Sequence, residues 1–123
     1  MINQLAKEIH ENAVSKGFWD KDRNLGEMLM LIVSEVSEAM EADRKSRYTK
    51  LSKLSRMNLA GQDNSVFLEL FKIHVKDTFE DELADACVRI FDLAYSRCID
   101  LEWHIKQKMR YNTTREKMHG KKY

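Results

Sequence analysis

No proline interrupts this chain of 123 residues, and its only glycines are Gly17, Gly26, Gly61 and Gly120. These two residue types are the strongest local breakers of regular structure. Between the glycines, Glu, Lys, Leu, Met and Ala recur, and all five are good helix formers. Long helices are therefore the expected outcome. The spacing of the apolar residues agrees. Ile2, Leu5, Ile9 and Ala13 follow a 3-4-4 pattern, which predicts an amphipathic helix over 2–16 closed by Gly17.

Phe18, Trp19 and Asp20 then form a loop with two large aromatics. Asn24 reads as the N-cap of a second helix, with Glu27 three residues on. That helix is expected to reach about Lys45 and to bury Leu25, Leu29, Ile32, Val36, Ala39 and Met40. Residues 46–64 are polar, basic and serine-rich, and read as a loop with one short helical turn. Ser65–Lys76 partly alternates like a strand, but Phe67, Leu70, Phe71 and His74 fit helical spacing, and its all-helical company favours a helix. Thr78 is expected to cap a long helix over 79–98 with Leu83, Ala86, Cys87, Ile90 and Ala94 inward. A further helix follows over about 99–110, and 112–123 reads as an extended tail. The expected fold is all-α, a single domain over 1–123 built as a bundle of four to five helices. Met28, Met30, Leu31, Val33 and Met40 widen the apolar face of the second helix beyond one stripe, so a homo-oligomer is expected to complete the bundle.

No apolar run approaches the roughly 18 residues of a membrane span. The start, MINQLAKEIHENA, has neither a basic opening nor a continuous apolar stretch, so no secretory signal is expected. Cys87 and Cys98, about 16 Å apart along one helix at its usual rise, are too distant to bridge. They read as buried small hydrophobes in a reducing cytoplasm. Charge is divided unevenly. The segment 106–123 holds Lys106, Lys108, Arg110, Arg115, Lys117, Lys121 and Lys122 against the single acid Glu116. A basic tail thus follows an acidic body.

The acidic body contains two motifs, SEVSE and DELAD, with Glu35 and Glu38 in one and Glu82 and Asp85 in the other. Each pair has i, i+3 spacing. Met28, Leu31, Glu35, Glu38 and Ala42 form a row beside the apolar stripe, and Glu82 and Asp85 flank Leu83 and Ala86, with Arg89 and Asp92 continuing their side. Carboxylates on an apolar ridge need partners. At about 4 Å, two like charges repel by roughly 4 kcal/mol at an effective dielectric of about 20. A cation, or protonation of some of the acids, would relieve this. Magnesium takes oxygen ligands and keeps several waters, so it suits such a cluster and can also bind a polyphosphate. A carboxylate-bridged di-iron centre needs two Glu-x-x-His motifs. The only one is Glu116–His119, in the tail, while His10, His74 and His104 are scattered and read as packing or surface residues. No local Ser/His/Asp or Cys/His arrangement supports nucleophilic catalysis.

Taken together, Glu35-x-x-Glu38, Glu82-x-x-Asp85, Lys16-Gly17-Phe18-Trp19 and the segment from Lys108 through Tyr111, Asn112 and Arg115 to His119-Gly120-Lys121 resemble the MazG-like, all-α nucleoside triphosphate pyrophosphohydrolases. The resemblance runs over nearly the whole chain. It departs from the family pattern between Glu38 and Glu82, where residues 46–77 read as an insertion. The resemblance implies cleavage between the α and β phosphates of a nucleoside triphosphate, yielding the monophosphate and pyrophosphate. It implies magnesium, with manganese as the alternative ion, on Glu35, Glu38, Glu82 and Asp85. Glu35 or Glu38 would orient the attacking water. Lys108, Asn112, Arg115 and Lys121 would contact phosphates, Phe18, Trp19 or Tyr111 would contact the base, and Asp92 would support the site from behind. A dimer or tetramer is also implied. The competing expectation is a non-catalytic helical oligomer that binds nucleotide or nucleic acid through its basic tail and the basic 44–56 segment.

Overall fold

The computed structural model describes all residues, 1–123, and contains six α-helices and no strand. They are α1 (Ile2–Ser15), α2 (Leu25–Arg44), α3 (Lys53–Ala60), α4 (Asn64–His74), α5 (Phe79–Ser96) and α6 (Leu101–Thr113), followed by a short 3-10 turn at Lys117–Gly120. None is long and apolar enough to cross a membrane. The chain divides into two compact units, residues 1–22 with 90–123 and residues 23–89.

The first unit holds α1, α6 and the last part of α5. Helix α1 closes as its sequence predicts. Gly17 adopts φ 84°, and the Phe18 N–H returns to the Ala13 carbonyl at 3.1 Å. Asp100 caps α6 by accepting from the Trp103 N–H at 3.0 Å, and its carboxylate also takes the Asn3 side-chain amide at 2.7 Å. Glu102, next along α6, holds the terminal amine of Met1 at 2.8 Å and Lys106 at 2.7 Å. Helix α6 runs past its expected end to Thr113, so Lys108 and Asn112 lie one turn apart on a helix.

The second unit holds α2, α3, α4 and the start of α5. Asn24 caps α2 through its side chain, which accepts from the Glu27 N–H at 3.2 Å. The face that α2 turns inward differs in part from the one expected, of which Ala39 alone is fully buried. Met28, Glu35, Ala39 and Ala42 are buried, whereas Leu25, Leu29, Val36 and Met40 are exposed. The packed face takes Met28, Glu35 and Ala42 from the acid-bearing row and Ala39 from the apolar stripe, while Glu38 stays exposed. Within α5, Ala86 and Ala94 are buried as expected, but Leu83, Cys87 and Ile90 are not. Cys87 and Cys98 are both exposed free thiols, which corrects their reading as buried residues.

The 46–64 stretch contains more than one turn of helix: α3 has eight residues, capped by Ser52 accepting from the Ser55 N–H. Residues 64–74 are helical, as α4, capped by Asp63 accepting from the Val66 N–H at 3.1 Å. Both ends of this α3–α4 segment are tied to each other at its root. The Phe79 N–H donates to the Arg47 carbonyl at 2.9 Å, the Thr49 N–H donates to Glu80 Oε2 at 2.8 Å, and the hydroxyls of Thr49 and Thr78 meet at 2.9 Å. Beyond that root, Leu59, Phe67, Phe71 and Val75 face Ala84 of α5 around a cavity of about 360 Å³.

Candidate functional site

Helices α2 and α5 carry the acidic motifs, and three of the four acids converge. Glu35, Glu38 and Glu82 each offer one carboxylate oxygen, and these oxygens lie within 4.8 Å of one another. Glu35 and Glu82 are buried and Glu38 is exposed. Asp85 lies outside this trio and is exposed. It remains in electrostatic reach: desolvation, then the charges of Asp81 and Glu35, raise its carboxyl pKa, while Arg89 pulls the other way.

Helical periodicity explains the juxtaposition. Glu35 and Glu38 are one turn apart on α2, flanked by Ala39 and Ala42, and Glu82 precedes Ala86 by one turn on α5.

The charge is balanced unevenly. Arg89, one turn beyond Asp85, donates its Nε–H to Glu35 Oε1 at 2.5 Å. A guanidinium two turns from Glu82 on the same side of α5 thus neutralises part of the cluster from inside the chain. Spacing of i+4 from Asp85 and i+7 from Glu82 was the available signal. Glu82 has no such partner. Burial, followed by the charges of Glu38, Asp85 and Glu35, raises its pKa to about 6. No hydrogen bond or ion pair engages the carboxylate of Glu38 or of Glu82, although the charges of Glu82 and Lys76 act on each other.

These residues fit magnesium. The donors are all carboxylate oxygens, the ligand type that hard cations take.

The other residues read as site candidates fall in the first unit. Lys108 Nζ lies over the Tyr111 ring at 5.2 Å from its centroid, and the Arg115 guanidinium lies over the same ring at 5.4 Å. Arg115 also donates to the His119 carbonyl at 2.9 Å. Asn112 Oδ1 is buried without a hydrogen-bond partner. Lys121 is exposed. Phe18 is an exposed ring, 61% accessible. Trp19 is half-buried, and its indole N–H donates to both oxygens of Asp92 at 3.0 and 3.1 Å.

Asp92 also bonds His10 Nδ1 at 2.7 Å, and the His10 ring meets the edge of Trp19 and lies beside Tyr95, both at 5.2 Å. The carboxylate of Asp92 is thus occupied by side chains from α1 and the loop that follows it. His10 and Asp92 are 82 residues apart, and nothing in local spacing signals their pairing.

Comparison with family models, with curated proteins and with solved structures gives no match.

Proposed function

We propose that this chain is a magnesium-dependent nucleoside triphosphate pyrophosphohydrolase that cleaves between the α and β phosphates. The observation that carries the reading is the convergence of Glu35, Glu38 and Glu82 within 4.8 Å, with Glu82 buried and unpaired. The resemblance of its motifs to the MazG-like enzymes supplies the reaction.

Glu35, Glu38 and Glu82 would hold the ion, with Asp85 adding negative charge beside them. A bound magnesium supplies neutralisation of the triphosphate, polarisation of the α-phosphoryl group and a more acidic water. Glu38 is exposed and free of partners, so it is the acid best able to orient that water and accept its proton. Glu35 is buried and paired with Arg89 in the metal-free chain, so it is assigned the part of a ligand rather than of the base. By the same resemblance, Lys108, Asn112, Arg115 and Lys121 contact phosphate oxygens. Arginine does so with a planar fork and lysine as a point charge. Phe18 and Tyr111 are the aromatic candidates for the base. The part given to Trp19 is narrower, because Asp92 already engages its N–H.

The exposed apolar row of α2 supports a homo-oligomer, which we place in the cytoplasm. Leu25, Leu29, Val33, Val36 and Met40 line one side of this helix. Self-association through that row would cover it.

The test is a panel of ribo- and deoxynucleoside triphosphates incubated with purified protein, with and without magnesium, scored by pyrophosphate release. Release that needs magnesium and is lost in the Glu38→Gln, Glu82→Gln double variant supports the assignment. Release that survives in that folded variant sinks the site. No release from any triphosphate, together with salt-sensitive nucleic-acid binding, favours the non-catalytic reading.

A further inference from the structure

We infer that Arg89 is a built-in counter-ion for Glu35, one that a divalent cation must displace in order to bind. The inference rests on the magnesium reading above and concerns how the metal-free site is kept stable and how it opens.

Glu35 is a buried carboxylate, with 9% of its side chain accessible, and its charge would be costly without a partner. Arg89 supplies that partner through a single N–H, the Nε–H, at 2.5 Å. A guanidinium has several donors and favours two parallel bonds to a carboxylate. The single contact therefore leaves most of its capacity unused. No other ion pair or hydrogen bond anchors the Arg89 side chain, which is 35% accessible and so has a path to solvent. Asp85 is one turn back along α5 on the same side, and the charge of Arg89 already acts on it. The guanidinium can leave Glu35 without losing every acidic neighbour.

A dication held by Glu35, Glu38 and Glu82 would sit beside the Arg89 charge. The two cations would repel while sharing one carboxylate, so their binding to Glu35 is antagonistic. In the metal-free protein the pair neutralises the buried acid of α2. In the loaded protein Arg89 swings off. Its position thus reports whether the site is filled.

The experiment titrates Mn²⁺ into the full chain and reads free Mn²⁺ by electron paramagnetic resonance. It compares wild type with Arg89→Gln, which keeps a polar side chain without charge, and with Arg89→Lys. Losing a charge-assisted bond that competes with the ion should tighten Mn²⁺ binding by about tenfold or more in Arg89→Gln, and by less in Arg89→Lys. A second readout uses wild-type protein alone and so survives misfolding of either variant. The ¹⁵N–¹H signal of Arg89 Nε should shift as Mg²⁺ is added. Equal or weaker Mn²⁺ affinity in folded Arg89→Gln, or an Arg89 Nε signal unmoved by saturating Mg²⁺, overturns the inference and leaves the metal site standing. Failure of wild type to bind Mn²⁺ overturns the metal reading and the inference with it.

Discussion

Arg89 and Glu35 stand 54 residues apart in the chain, yet the Arg89 Nε–H meets Glu35 Oε1 at 2.5 Å, joining α5 to α2 beside the acidic cluster. Removing the cation strands a buried carboxylate. Breaking such a pair from one side costs more than the pair itself contributes. Because Arg89 is partly accessible, water offsets part of that cost. Arg89→Ala should destabilise the metal-free protein by about 2 kcal/mol. The Glu35→Ala, Arg89→Ala double variant should lose less than the two single variants combined. Urea denaturation in the presence of EDTA measures both.

Glu82 should give metal-free stability an unusual pH slope. Its folded pKa, about 6, lies above its ordinary 4.5. Between those values the folded state holds the proton more tightly than the unfolded state does. Stability from this group therefore falls as pH rises from about 4.5 through about 6. Asp85, also raised, acts in the same direction. Glu102, held down to about 2 by Lys106 and the terminal amine, acts oppositely at lower pH. The contribution of Glu82 is isolated by difference. Glu82→Gln should gain on wild type in EDTA as pH rises through about 6, with the gap closing towards about 4.5. A gap independent of pH contradicts this.

The exposed row of α2 should govern assembly. Leu29 and Val36 are each about half accessible and two turns apart on that row. Charged residues at the centre of an apolar interface are strongly disfavoured. Leu29→Lys with Val36→Lys should convert an oligomer to monomers while leaving helix content intact. Sedimentation velocity and circular dichroism check the two halves of the statement. A wild-type protein that sediments as a monomer removes the premise.

Asp92 should matter for stability of the first unit. It accepts from Trp19 and bonds His10, and its side chain is 13% accessible. Asp92→Ala leaves both groups without their partner, at a cost of about 2–3 kcal/mol. Asp92→Asn keeps one acceptor oxygen and should lose less. Trp19 fluorescence should change in both variants, because its N–H partner is altered or removed.

Several elements were legible in the sequence because their causes are local. The Asn24 cap, the Gly17 stop and the Thr78 turn before α5, where the Asp81 N–H donates to Thr78 Oγ1 at 3.3 Å, each act over a single helical turn. The choice of face on α2 was not local. Its two neighbouring rows, one apolar and one with Met28, Glu35 and Ala42, both satisfy helical periodicity. What the helix meets decides between them, and the meeting partner lies on α5. The same holds at the site. Spacing pairs Glu35 with Glu38 on one helix and places Glu82 with Asp85 on another. It does not tell which acids converge, nor that Arg89 reaches Glu35. The exposed thiols of Cys87 and Cys98 show the same limit, since a residue's preference for the interior does not say which side of a helix is interior.

The stapled root of the α3–α4 segment makes it a cassette. Arg47 and Thr49 at one end are bonded to Thr78, Phe79 and Glu80 at the other, so the ends are neighbours before the intervening helices are counted. Closing a loop between adjacent points costs little more for a long segment than for a short one. Beyond the root, residues of α3 and α4 and of α5 line a shared cavity of about 360 Å³. Excision of residues 52–75 in favour of a short Gly-Ser linker should therefore leave α2 and α5 folded and the Glu35–Arg89 pair intact, as seen by helix content and by the Arg89 Nε signal. The chain can lengthen, shorten or exchange its sequence there without disturbing the acids next to it.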